Sequence, residues 1–233
     1  MIVWIFAGKG GIGKSTLSFL IAWLLGHIGR TLLIDADARQ EDGSSSELYN
    51  QLTVDPVMDL ATEDDAEKLA QLREVRGYRF VVVDNGPHRD RKRLEQGCRN
   101  GDITIVPLTL DYLEARAIMS SLREIVIPSG CKYRVVINKV PAVRKAKAQR
   151  TSQSLDLVRI PVFRTHMRAL VAHQDAGQLG IPVTEGTLLT WKPAAEDARN
   201  LVDELLEDLG LQDRVPRPKP RPKSRPTKKK AKN

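Results

Sequence analysis

Gly8, Gly13, Lys14 and Ser15 fall at the spacing G-x-x-x-x-G-K-[ST] within AGKGGIGKST, residues 7–16. That set of residue types is suited to holding phosphate. Glycines let the backbone fold its N–H groups around anionic oxygens, and a helix starting near Gly13 adds the positive end of its dipole. Lys14 has the reach to meet the β- and γ-phosphates of a nucleotide, and the Ser15 hydroxyl suits Mg²⁺. Gly10, Gly11, Ile12 and Thr16 complete the loop. A glycine turn between a strand and a helix needs no ligand, so the motif must be judged in its context.

That context is strand, loop, helix. IVWIF, residues 2–6, is a short apolar run that reads as a buried strand, and Ser15–Leu25 continues as an apolar helical segment. A second strand, TLLID at 31–35, delivers Asp35 and, two residues on, Asp37. A third, YRFVVVD at 78–84, ends on Asp84 and is followed by Asn85, Gly86 and Pro87. A hydrophobic run closed by a carboxylate places an acid beside Mg²⁺, usually through water, although an aspartate at a strand end also caps helices. DITIVPLT (102–109) and KYRVVINKV (132–140) read as two further strands, separated by a helical run from Asp111 to Ile127. Strands alternating with helices predict an α/β fold with a doubly wound, mostly parallel sheet flanked by helices, and ligands at the carboxyl ends of its strands. Apolar residues at Ala195, Ala198, Leu201, Val202, Leu205 and Leu209 predict a closing helix over 192–209, with Gly210 as its cap.

Lys9 stands five positions before Lys14, and KGGIGKS resembles the deviant Walker A motif, KGG-x-GK-[ST], of the ParA/MinD family of dimerising ATPases. The resemblance extends over about residues 1–210 and implies a P-loop NTPase that uses ATP/ADP and Mg²⁺. It implies an ATP-bound sandwich homodimer in which Lys9 crosses to the partner's nucleotide. By the same match Asp37 would position or deprotonate the attacking water and Asp35 would lie near the metal with Ser15, while Asp84 is the metal-side acid. Lys9, Lys14 and Asp37 are thus the catalytic candidates. Pro107 and Asn138 resemble positions that border the adenine; an asparagine at a strand end is as often a structural cap. The segment DADARQ departs from the family's D-x-D-P-Q, with Ala38 for proline and Arg39 for glutamine. Among family members the chain looks most like the short ParA partition proteins, which implies a weak ATPase for DNA segregation. Its dimer would bind DNA non-specifically until a ParB-like, centromere-bound activator stimulates hydrolysis. A positioning or conjugative-transfer accessory ATPase with another cargo, and a DNA-binding structural module with a decayed ATPase, remain open readings.

Charge divides the 233-residue chain at residue 213. Residues 214–233 hold ten Lys/Arg, five prolines and no acid, which reads as a disordered basic tail following an ATPase domain over 1–213. Residues 1–213 carry 27 Lys/Arg against 29 Asp/Glu, so the net charge of +8 belongs to the tail. Within the domain, residues 139–168 hold eight bases and one acid, whereas residues 41–74 hold ten acids and two bases. A charge run is often only a solvated face; as a function, the basic run suits non-specific contact with DNA phosphates. Arg144, Lys145, Lys147, Arg150, Arg164 and Arg168 are the candidates, and the acidic run is a candidate surface for a basic activator peptide. The tail could add to the DNA contact, dock on an acidic protein, or serve solubility. Beyond residue 213 only Val215 and Ala231 are apolar, which speaks against a C-terminal amphipathic membrane anchor. Cys98 and Cys131 show no metal or disulfide spacing and the four histidines are dispersed. Without a signal peptide or transmembrane run, the expected location is cytoplasmic and nucleoid-associated. Trp4, Trp23 and Trp191 are expected to fill the core or its edge.

Overall fold

The structure, a computed structural model, describes residues 1–6, 10–36, 44–86 and 91–217, without the side chain of Arg93. Gly8, Lys9, Asp37, the Ala38–Gln40 departure, Pro87, His88 and residues 218–233 of the basic tail lie outside the described residues. In chain order the elements are β1 (Ile2–Ile5), α1 (Lys14–Gly26), β2 (Thr31–Asp35), α2 (Ser45–Asn50), β3 (Asp59–Thr62), α3 (Ala66–Ala70), β4 (Phe80–Asp84) and α4 (Arg91–Asn100). They continue with β5 (Ile103–Leu108), α5 (Tyr112–Ser121), β6 (Tyr133–Ile137), α6 (Lys145–Leu157), α7 (Ala172–Leu179) and α8 (Lys192–Asp208).

The six strands form one sheet in the order β3-β2-β4-β1-β5-β6, and every pairing is parallel. A parallel sheet must be covered on both faces, and its strands alternate their side chains between them. Val3, Ile5, Leu33 and Val82 therefore pack against α1, α7 and α8. Ile2, Trp4, Leu32, Ile34, Val81 and Val83 face the other way, toward Leu69 and Leu72. Leu94 of α4, Ile118 of α5 and Ala148 and Leu155 of α6 close the rest of that second face with Val106, Val135 and Ile137. All three tryptophans are buried. The chain leaves β1 for β2 and the edge strand β3, returns to β4 beside β1, and then crosses to β5 and β6 on the other side, so the order reverses beside β1, where an open α/β sheet offers a crevice to ligands.

The sheet is extended beyond β6 by residues 161–169, which the sequence pattern did not separate from its surroundings. Val135 donates to the Pro161 carbonyl, and Phe163 donates back to that of Val135. Val140 and Met167 are tied in the same way. Two buried carboxylates of α8 hold this segment in place. Glu204 accepts from the backbone N–H groups of Arg164 and Thr165 at 2.8 and 2.9 Å, and Asp197 accepts from that of Arg168 at 3.1 Å.

Helix α8 ends as expected, with Gly210 at φ 73° and Leu211 donating to the Leu206 carbonyl, the bond that closes a left-handed cap. The chain then turns back along α8. Val215 is 2% exposed, and its N–H donates to Asp203. Arg214 pairs with Glu207 and Arg217 with Asp203. Packing thus continues to Arg217, four residues past the boundary that composition suggested, because Val215 has an apolar socket to fill. Among the described residues no helix is long and apolar enough to cross a membrane.

Candidate nucleotide-binding site

The loop after β1 enters α1 through two glycines in the left-handed region, Gly11 at φ 79° and Gly13 at φ 83°. At Gly13 a side chain is excluded twice over. The conformation disfavours it, and a Cβ there would lie 2.9 Å from Asn138 Nδ2 and 3.1 Å from Lys139 Cε. Those neighbours come from the end of β6. Asn138 Nδ2 donates to the Ile12 carbonyl at 2.8 Å, and Lys139 Nζ donates to the Gly11 carbonyl at 2.6 Å. Lys139 itself is held at φ 52°, a costly conformation for a lysine, which directs its ammonium onto the loop. The phosphate loop is thereby clamped from the side.

Lys14 is 6% exposed, on the first turn of α1. Asp35 and Asp84 end adjacent strands in register with one another, at 1% and 2% exposure. Burial raises the pKa of Asp84. The Ser15 hydroxyl, the Lys14 ammonium and the Ser45 hydroxyl oppose that rise, and Asp35 adds to it. Ser18, one turn into α1, donates to Asp84 Oδ1 at 3.0 Å, and the Ser46 N–H donates to Asp35 Oδ2 at 3.0 Å. A lysine, hydroxyls and two acids thus converge at the carboxyl edge beside β1.

Several polar atoms there are left over. Both side-chain atoms of Asn85 and the hydroxyl of Ser46 are sealed from solvent without a hydrogen-bond partner among the described residues. Buried polar groups are normally satisfied, so this cluster suits a ligand that brings its own donors and acceptors. Hard oxygen donors with one buried carboxylate on each of two strands also fit Mg²⁺ better than a softer metal. Ser18, Ser45, Ser46 and Asn85 were not singled out from the sequence, since a serine or asparagine has no motif value until the fold brings it to the acids.

On the other side of α1 a cavity of about 540 Å³ opens from Gly13 and Thr16, past Asn138 and Lys139, to the segment Met167–Val171. A nucleoside attached to phosphates at Gly13 has this space beside it. Asn138 lines the cavity. Pro107 does not: it lies buried within β5, in register with Val136, and its missing N–H falls beyond the last pair, Ile5 with Ile105, that β1 makes with β5. Met167–Val171 line the cavity too, and no motif in the sequence marks them.

The six basic candidates separate. Arg144, Lys145, Lys147 and Arg150 are exposed along the first turns of α6, with Lys147 Nζ donating to the Leu110 carbonyl at 3.1 Å. Arg164 reaches Glu207 at 3.0 Å. Arg168 makes two 2.7 Å bonds to Asp197 and another to the Pro193 carbonyl, so its charge is committed to pinning the cavity wall.

No family model matches the chain. It is 31% identical over 207 residues to Maintenance of carboxysome distribution protein A from Gloeobacter kilaueensis, covering 89% of this chain and 94% of that protein. Its fold superposes on the MinD cell division protein of Aquifex aeolicus with a TM-score of 0.70 at 17% identity, covering 93% and 99% of the two chains. A Cyanothece McdA(D38A)–ATP complex gives a TM-score of 0.64 at 16% identity, with 92% and 98% covered. With this parallel sheet, this clamped phosphate loop and a relative matched along nearly its whole length, the chain belongs, with Maintenance of carboxysome distribution protein A, to the ParA/MinD family of P-loop ATPases.

Proposed function

We propose that this protein is an ATP-dependent dimerising switch that positions a protein cargo, such as a carboxysome-like body, over the nucleoid. The observation that carries the reading is the relationship at 31% identity to a carboxysome distribution protein, and the nearness of Lys14 and Ser15 to the buried Asp84 supports it. It moves the weight from DNA segregation with a ParB-like, centromere-bound activator to an activator carried by the cargo.

Bound MgATP supplies the transferable phosphate and the cation. Lys14 and the N–H groups of Gly10–Ser15 hold the phosphate charge, and Ser15 and Asp84 orient the metal side. Ser18 fixes the Asp84 carboxylate by hydrogen bond, and Asn138 and Lys139 keep the loop from opening. Lys9 would reach the partner's nucleotide and Asp37 would aim the attacking water, so that dimerisation and hydrolysis depend on one loop and its neighbour. Two states with different nucleotide contacts make a switch.

DNA would be held by α6. No acid occupies its first turn, where Arg144, Lys145 and Lys147 add to the positive end of the helix dipole. Those charges work against helix stability, which supports a role outside it. An electrophoretic shift with random duplex DNA tests the reading: binding is expected with ATP and Mg²⁺, steeply weakened by salt, and absent with ADP. Equal binding in both nucleotides would contradict the switch.

A further inference from the structure

A cleft of about 700 Å³ lies between the end of α1, the segment 184–189, the start of α8 and the returning residues Pro216 and Arg217. It is separated from Lys14 by the length of α1, about 20 Å at 1.5 Å per residue. Arg199 lines it at 7% exposure. Its Nη2 donates to the Thr184 carbonyl, but Nε is sealed from water and has no acceptor. No carboxylate among the described residues pairs with it. Glu185 accepts instead from Trp23 Nε1 at 3.2 Å and lies 3.4 Å from His27 Nε2, while Arg217 pairs with Asp203. Burial presses the pKa of Arg199 downward; Glu185 and Glu196 oppose that fall and Arg217 adds to it.

A guanidinium has five N–H donors, and this one spends one of them on a neutral acceptor. Buried charges in proteins are normally paired. The walls around it are mixed. Leu24, Ala195 and Pro216 are apolar, and Leu189 at the rim is 74% exposed, whereas Glu185 and Glu196 are acidic. A polyphosphate chain would meet those two carboxylates along its length. A single carboxylate beside an apolar side chain meets the arginine and the apolar wall together. Residues 218–233, which follow Arg217 in the sequence, carry eight Lys/Arg and no acid, a composition that attracts acidic polypeptides.

We propose that this cleft is a docking site for an acidic, leucine-bearing peptide segment of a partner protein, with one carboxylate of that segment accepting from Arg199. The site is independent of the nucleotide switch and sits at the opposite end of α1 from it.

The test is fluorescence anisotropy of a fluorescein-labelled peptide of alternating leucine and glutamate, titrated with the full-length protein. Saturable binding is expected, weakened at least tenfold by Arg199→Gln. Leu189→Glu, a surface change that leaves the core untouched, is expected to weaken it similarly by repelling the peptide at the rim. Binding of a fluorescent ATP analogue is expected to be unchanged in both variants, which separates this site from the nucleotide site. If Arg199→Gln loses the fold, and with it ATP binding, Leu189→Glu alone decides. Peptide affinity that is the same in the wild type and in the folded variants would overturn the proposal. So would an oligonucleotide that binds through Arg199 more tightly than the peptide does.

Discussion

Replacing Gly13 by alanine tests the side clamp on the phosphate loop quantitatively. At φ 83° an alanine carries the left-handed penalty of about 1–2 kcal/mol. Its Cβ would also sit 2.9 Å from Asn138 Nδ2, so the amide must leave the Ile12 carbonyl it now bonds at 2.8 Å. Losing that buried bond costs about 1–2 kcal/mol more. Gly13→Ala should therefore lose about 2–4 kcal/mol, or roughly 5–10 °C in Tm for a domain of this size. Asn138→Ala should lose only the bond. In the double variant the clash is gone and the bond is already broken, so its loss should match that of Gly13→Ala alone, a coupling of about 1–2 kcal/mol. Urea unfolding of the four proteins measures this cycle. Simple additivity would refute the clamp, because it would mean that Asn138 does not yield to residue 13.

The basic residues predict opposite behaviours. Arg168→Ala leaves Asp197, whose side chain is 11% exposed, without its partner and should cost about 2 kcal/mol of stability, the arginine's 39% exposure moderating the loss. Arg144→Ala and Lys145→Ala should leave Tm unchanged and each reduce the salt slope of DNA binding by about one; a salt titration beside a melting curve distinguishes the two kinds. His173 sets a pH dependence. Burial holds its imidazole below the ordinary 6.5, Asp197 pulling the other way, so the unfolded chain takes the proton first. Stability from this group is complete above pH 6.5 and is lost as pH falls toward the folded value. The Tm difference between wild type and His173→Gln should therefore narrow or reverse from pH 7.5 to 5.5; a constant difference would show that His173 does not titrate differently on folding.

Much of this architecture is legible in the chain because the signals are local. Apolar runs closed by a carboxylate set Thr31–Asp35 and Phe80–Asp84, and the glycine loop set the start of α1. Strand β3 was missed because DLAT is a half-exposed edge without alternation, embedded in an acidic run. The helical run expected from 111 to 127 is present as α5 followed by a π-helical turn at Leu122–Val126, a change of hydrogen-bond register that periodicity does not reveal. Site residues with motif value were legible in the same way. Ser18, Ser46 and the wall at Met167–Val171 were not, since they reach the site only through helix spacing and through carboxylates of α8 far along the chain. Arg168 illustrates the converse: a base in a basic run, its charge is spent on Asp197, twenty-nine residues away.

In the proposed switch, nucleotide state controls assembly through the phosphate loop. Light scattering coupled to size exclusion, with ATP and Mg²⁺, measures it directly on the wild type, Lys9→Ala and Asp37→Ala. A dimer is expected for the wild type, a longer-lived dimer for Asp37→Ala and a monomer for Lys9→Ala. A monomer in all three, or a dimer that forms without nucleotide and survives Lys9→Ala, would contradict it.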